Sequence, residues 1–144
     1  MYKIIFAICI LFSLLSCKKS KQEPMVDFNK SKDSIKVCGQ TVDNETRCIH
    51  YHSQLDIIAI KFKCCKKYYP CYECHQEAEI HKPQVWSVDE HDQKSILCGV
   101  CKHELTIKEY LNSGNKCTSC KSNFNPGCSL HYHLYFEKEL NQPK

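Results

Sequence analysis

The chain has 144 residues, with 20 Lys and Arg against 16 Asp and Glu, and a formal net charge of +4. That length admits one domain and little more, and so mild a positive charge makes no case for a nucleic-acid partner. Thirteen cysteines and eight histidines set among few aliphatic residues exclude a domain held together by an oily interior alone.

Residues 1–24 do not read as part of a folded domain. Lys3 opens them, and residues 4–15 form an apolar run too short to cross a bilayer as a folded helix. Leu14-Leu15-Ser16-Cys17 reads as the lipobox of a bacterial lipoprotein, with a signal peptide over residues 1–16, cleavage before Cys17 and lipidation of its thiol. Anchored through several acyl chains on Cys17, such a protein is expected to stay on the membrane with its domain outside the cytoplasm; translation from Met25 would instead leave it cytoplasmic. Residues 17–36, rich in Lys, Ser and Asp, hold too little apolar surface to pack and read as a flexible tether.

The domain expected over residues 37–136 is small, irregular and metal-stabilised, with short β-strands and short helical turns, and residues 137–144 form a tail. Residues 55–62 alternate Ile58, Ile60 and Phe62 with Ala59 and Lys61, a strand pattern. Lys61, Lys63, Lys66 and Lys67 read as a solvated face. Tyr68, Tyr69 and Tyr72 are expected to shield sulfurs and Trp86 to cover a metal cluster. Glu77, Ala78 and Glu79 favour a helical turn, with Glu77 and Glu79 facing solvent. Ser95-Ile96-Leu97 leads into a second strand; Leu105, Ile107, Tyr110 and Leu111 predict a short helix or turn ended by Gly114. His131 and His133 are expected on the polar face of a terminal strand running to Phe136, and His52, His91 and His103 at the surface.

Disulfides compete with metal as the organising force, but three features favour metal. Beyond Cys9 and Cys17 the cysteines number 11, which is odd; Cys64 and Cys65 are adjacent; and histidines fall between cysteines at ligand spacing. The clearest set is Cys98, Cys101, Cys117 and Cys120, two Cys-X-X-Cys knuckles at zinc-ribbon spacing. Cys48 and His50, one residue apart in extended chain, face one way and complete a second site with Cys71 and Cys74. Cys74 and His75 are neighbours and point apart, so His75 joins His81, Cys64 and Cys65 in a third. The last two sets interleave along the chain. With nine thiolates and three Zn²⁺ ions, the net charge falls to about +1.

The run Thr46-Arg47-Cys48-Ile49-His50-Tyr51 resembles the signature of the CHY-type zinc finger family. The likeness continues through Leu55-Asp56-Ile57-Ile58-Ala59-Ile60-Lys61-Phe62, Cys64-Cys65, Tyr69-Pro70-Cys71-Tyr72-Glu73-Cys74-His75, His81, Trp86, both knuckles and Phe124-Asn125-Pro126-Gly127-Cys128. It implies three structural zinc ions, in an interleaved CHY cluster followed by a ribbon-like knuckle pair. One branch of the family precedes a RING domain in ubiquitin ligases; residues 1–144 carry no RING pattern. The Phe124-to-Cys128 segment is similar to the stand-alone, helper-of-Tim-like branch of the mitochondrial intermembrane space, whose members bind zinc and assist a disulfide relay by keeping its oxidoreductase free of metal. A lipoprotein signal departs from both branches.

The expected function is a zinc-binding module that presents a surface to a protein partner, of unknown identity. The alternative is a thiol or metal-handling factor, exchanging zinc or supporting oxidative folding, in which Cys38 or Cys128 is reactive or Cys128, His131 and His133 form a weaker fourth site. No enzyme is expected, because a catalytic zinc keeps one position open for water and each set here already counts four protein ligands.

Overall fold

The computed structural model describes residues 35–138. At their centre lies a four-stranded antiparallel sheet of β1 (Ile58–Lys61), β2 (Tyr68–Tyr69), β3 (Lys94–Cys98) and β4 (Glu104–Thr106), in the order β2-β1-β3-β4. The two-residue period of β1 decides its faces. Ile58 and Ile60 turn into the main core with Phe62, Ile96 and Leu105, while Ala59 packs with Leu97 and Tyr68 on the opposite face under Ile35 and Val37. Pairing of Ile58 with Cys98, Ala59 with Leu97 and Ile60 with Ile96 fixes the register and delivers Cys98 to the end of the sheet.

Helix α1 (Tyr72–Ala78) is short, and its first turn is capped by a thiol: Cys71 Sγ accepts from the Cys74 amide at 3.4 Å. A 3₁₀ turn at Val88–Glu90 precedes β3. Helix α2 (Ile107–Leu111) starts on a reciprocal cap. The Glu109 amide donates to Thr106 Oγ1 at 3.0 Å and the Thr106 amide to Glu109 Oε2 at 2.7 Å. Gly114 follows at φ +63, the left-handed position that ends the segment. No helix among the described residues is long and apolar enough to cross a membrane.

Four expectations need correction. Residues 126–134 form a 3₁₀ helix, Pro126–Leu134, rather than a strand, with His131 and His133 exposed on it. Asn125 caps it by accepting from the Gly127 amide at 2.8 Å, and Pro126 supplies a helical φ without needing an amide partner. His91 is 4% exposed rather than at the surface, its backbone held by Val88 and Lys108. The lysines beside β1 are engaged rather than merely solvated. Lys61 pairs with Glu104 at 3.1 Å, Lys63 with Glu90 at 2.5 Å and Lys67 with Glu79 at 2.7 Å, while Lys66 lies 3.9 Å over the Trp86 ring. Tyr68 shields no sulfur: it packs on the far face of the sheet and donates to Glu104 at 2.5 Å.

Trp86 is buried, and its indole N–H donates to the Lys61 carbonyl at 2.8 Å. Its backbone bonds to Tyr135 and Glu137, which ties the C-terminal segment to the core.

Candidate metal centres

Two segments bring the first set together. Cys48 sits in a turn closed by Val42–Arg47 and Ile49–Gln40 backbone bonds. Arg47 locks that turn, pairing with Asp43 and Glu45 at 2.8 Å each and donating to the Ser53 and Gln54 carbonyls. Cys71 and Cys74 come from the first turn of α1. The second set draws Cys64 and Cys65 from the turn after β1, His75 from α1 and His81 from the segment after it. The third joins the end of β3 to the turn at Cys117.

In each set, Cys48, His50, Cys71 and Cys74; Cys64, Cys65, His75 and His81; Cys98, Cys101, Cys117 and Cys120, the four ligand-type atoms lie within 4.8 Å of one another. A zinc tetrahedron with arms of about 2.3 Å to sulfur and 2.0–2.1 Å to nitrogen has edges near 3.8 Å between sulfurs and near 3.5 Å between sulfur and nitrogen. The sulfur pairs Cys48–Cys71, Cys98–Cys120 and Cys101–Cys117 stand at 3.8, 3.8 and 3.7 Å. His50 Nδ1 is 3.5 Å from Cys71 Sγ and 3.4 Å from Cys74 Sγ, and His75 Nε2 is 3.3 Å from Cys64 Sγ. These are tetrahedral edges, and the sulfur separations are far beyond the ~2.05 Å of a disulfide. His81 Nε2 is buried without a hydrogen-bond partner, as a nitrogen reserved for an ion would be. The residues present therefore fit zinc.

Electrostatics argues the same way. Burial pushes the thiols of Cys71, Cys74 and Cys98 up and pushes His75 down, so these groups favour their neutral forms without a cation. A bound divalent ion supplies the charge that stabilises buried thiolates. Cys120 differs: hydrogen bonding from Ser122 pulls its thiol down to about 6.

Two acidic residues read as solvent-facing have a more specific place. Glu77 Oε1 lies 3.1 Å from His50 Nε2, the ring nitrogen turned away from the sulfurs, and its other oxygen accepts from Gln40 at 3.0 Å. Glu79 Oε2 lies 3.5 Å from His81 Nδ1, while its Oε1 accepts from Lys67 at 2.7 Å and Tyr69 at 2.5 Å. Carboxylates placed this way orient a metal-bound imidazole and raise its basicity. For Glu79, two residues before His81, sequence proximity was the available signal, whereas Glu77 meets His50 across 27 residues.

Cys38 and Cys128 fall in none of the three sets. Cys128 is half-buried with Tyr110 and Tyr132, and burial pushes its thiol up, away from reactivity. It lines a cleft of about 240 Å³ whose walls include Tyr51, Ile60, Leu130 and Cys71. Leu130 on the rim is 73% exposed.

Short strands, brief helices and three clusters of cysteine and histidine define a metal-stabilised domain. Comparison with known proteins specifies it further. The CHY zinc finger pattern matches residues 48–126, and the chain belongs to the CHY zinc finger family. It is similar to Helper of Tim protein 13 of Saccharomyces cerevisiae, 52% identical over 104 residues that span 70% of this chain and 90% of that protein. Helper of Tim protein 13 of Kluyveromyces lactis is 45% identical over 107 residues, 74% of this chain and 93% of that one. An uncharacterised protein of Schizosaccharomyces pombe is 40% identical over 107 residues, 74% and 94% of the two chains.

These fungal relatives overturn the expectation of a bacterial membrane-anchored lipoprotein. A short apolar run ending in Ser-Cys is a pattern of low information that many apolar segments satisfy. Cys17 itself, with the rest of the expected signal and tether, lies outside the described residues except for residues 35 and 36.

Proposed function

We propose that the chain binds three structural zinc ions, one in each tetrad, and serves as a protein-interaction module without catalytic activity of its own. The observation that carries this reading is the gathering of four protein ligand atoms within 4.8 Å of one another in each set, with the measured edges at 3.3–3.8 Å. A closed tetrahedron leaves no position for substrate or activated water. The ions then do the work that a larger apolar core does elsewhere, and Cys48, Cys71, Cys74, Cys98 and Cys117 pack within the hydrophobic core itself.

The surface for a partner is the cleft beside Cys71, with Tyr51 and Leu130 at its mouth. The relatives' name, Helper of Tim, directs the choice of partner toward Tim proteins or the machinery that serves them. Native mass spectrometry of the purified protein tests the metal reading: three zinc ions support it, and one, two or none refute it. Titration with a purified Tim protein tests the surface. Loss of binding in Leu130→Asp with three ions retained supports the assignment, and unchanged binding contradicts it.

A further inference from the structure

Four tyrosines, Tyr51, Tyr110, Tyr132 and Tyr135, wall the cleft beside Cys71, and Ile58 and Ile60 add aliphatic surface. Tyr110 and Tyr132 meet at 64° with ring centroids 5.5 Å apart, so they form adjoining walls rather than a stack. The fixed charge at the cleft is negative. Asp56 lines it, and although burial opposes this, hydrogen bonds from Asn125 and Ser53 hold its carboxyl below the usual range and keep it ionised. Glu73, Cys71 and Cys48 lie within electrostatic reach of Tyr51 as well. The first tetrad, three thiolates and a neutral imidazole around one Zn²⁺, adds a single net negative charge behind Cys71. No lysine or arginine lines the cleft, and His131 is the one lining side chain that can take up a positive charge. Arg47, which acts on Asp56, is committed to Asp43 and Glu45.

An apolar recess walled by aromatic rings, beside fixed negative charge, suits a cation with a flat and weakly hydrated head. We propose that the cleft receives an arginine side chain of the partner protein, its guanidinium against the tyrosine rings and beside Asp56. This rests on the reading of the cleft as the partner surface and names what enters it. Arginine is favoured over lysine because its planar head stacks on rings and gives up water more cheaply. Asp56 has room for it: each carboxylate oxygen accepts one bond, Oδ1 from Asn125 and Oδ2 from the Ser53 amide, and a carboxylate offers about four acceptor positions. Leu130, 73% exposed at the mouth, is then covered by the apolar neighbours of the incoming arginine.

The test uses the zinc-loaded full chain and capped peptides acetyl-Gly-Leu-X-Leu-Gly-amide, in which X is arginine, lysine or citrulline, the last an uncharged isostere of arginine. Binding is followed by calorimetry and by amide ¹H–¹⁵N shifts. The arginine peptide should bind at least about fivefold more tightly than the citrulline peptide, the scale of cation–ring attraction, with lysine between them. It should also move the Tyr51, Asp56 and Tyr132 amides. Asp56→Asn and Tyr132→Leu should each remove that preference, whereas Tyr132→Phe, which keeps the ring, should preserve it. In the parent protein, equal affinity for the arginine and citrulline peptides, or shifts confined to another face, overturns the inference. Phosphatidylcholine vesicles that move the same amides when the arginine peptide does not would give the cleft to a lipid headgroup and overturn it too. If a Tim protein loses binding in Leu130→Asp while the peptides are not told apart, this inference alone falls. Unchanged Tim binding in Leu130→Asp removes the partner surface, and this inference with it.

Discussion

Gly99, inside the first ribbon knuckle, offers a sharp test of how the metal loops are packed. A Cβ added there would lie 1.9 Å from the Glu45 carbonyl oxygen, 2.5 Å from its carbon and 2.8 Å from Thr46 Oγ1. The first two atoms are backbone, and Arg47 pins the loop that carries them through its bonds to Asp43 and Glu45. The knuckle is equally fixed, since the Gly99 amide donates to the Ile57 carbonyl at 2.7 Å. Ordinary overpacking costs about 1–3 kcal/mol, and a clash with pinned backbone belongs at or beyond the top of that range. For a domain near 100 residues, ~3 kcal/mol lowers Tm by roughly 12–24 °C. Gly114→Ala is the control. Its Cβ meets nothing within 4 Å, but φ is +63. The left-handed penalty of about 1–2 kcal/mol, less roughly 0.4–1 kcal/mol gained by stiffening the unfolded chain, leaves a loss of about 0–1.6 kcal/mol. Calorimetry in excess zinc should rank Gly99→Ala far below Gly114→Ala. A Gly99→Ala protein that melts within about 3 °C of the parent would refute the packing of the 43–46 loop on the knuckle.

Glu77→Ala should weaken zinc at the His50 site by about tenfold, the low end of what such contacts contribute, because Glu77 is exposed; competition with a graded chelator measures it. Phe62→Ala should cost about 3–5 kcal/mol in denaturant unfolding, since its ring is buried and stacks 4.0 Å from His75. In acid, Glu79 is held near 2 by Lys67 and Tyr69, and Glu90 near 2 by Lys63 and Ser87, each below the usual 4.5. Their contribution is fully present above pH 4.5 and fades only as pH falls toward 2. These two pairs therefore drive no unfolding above pH 4.5, and any loss of structure there should follow zinc release as protons take the thiolates, with a midpoint that moves down when zinc is added. A midpoint that does not respond to zinc would contradict the account.

Much of this arrangement was legible because metal ligands must sit close in space, and close spacing survives in the chain. Cys98-Gly99-Val100-Cys101 and Cys117-Thr118-Ser119-Cys120 are turns whose two sulfurs converge, and the opposed directions of Cys74 and His75 divide the interleaved sets as the geometry does. The alternation of Ile58, Ile60 and Phe62 located β1, although Asp56, accepting from the Ser53 amide, holds the preceding residues in a turn. The C-terminal segment misled because His131, Tyr132, His133 and Leu134 alternate in polarity and in exposure as a strand does, yet belong to a 3₁₀ helix. The Asn125-Pro126 cap was the better signal. Lys63 and Lys67 find their carboxylates 27 and 12 residues away, contacts that no local pattern encodes. The lipobox misled for the opposite reason, since its few residues carry too little information to outweigh relatives of another kingdom.

The most direct measurement is the two-dimensional ¹H–¹⁵N spectrum of the protein before and after its zinc is stripped by chelator under reducing conditions. With five ligand cysteines inside the core, the stripped chain should lose its dispersed amide signals and cooperative melting, and regain both on adding three equivalents of zinc. Retention of the dispersed spectrum and the parent melting curve by metal-free protein would contradict the account.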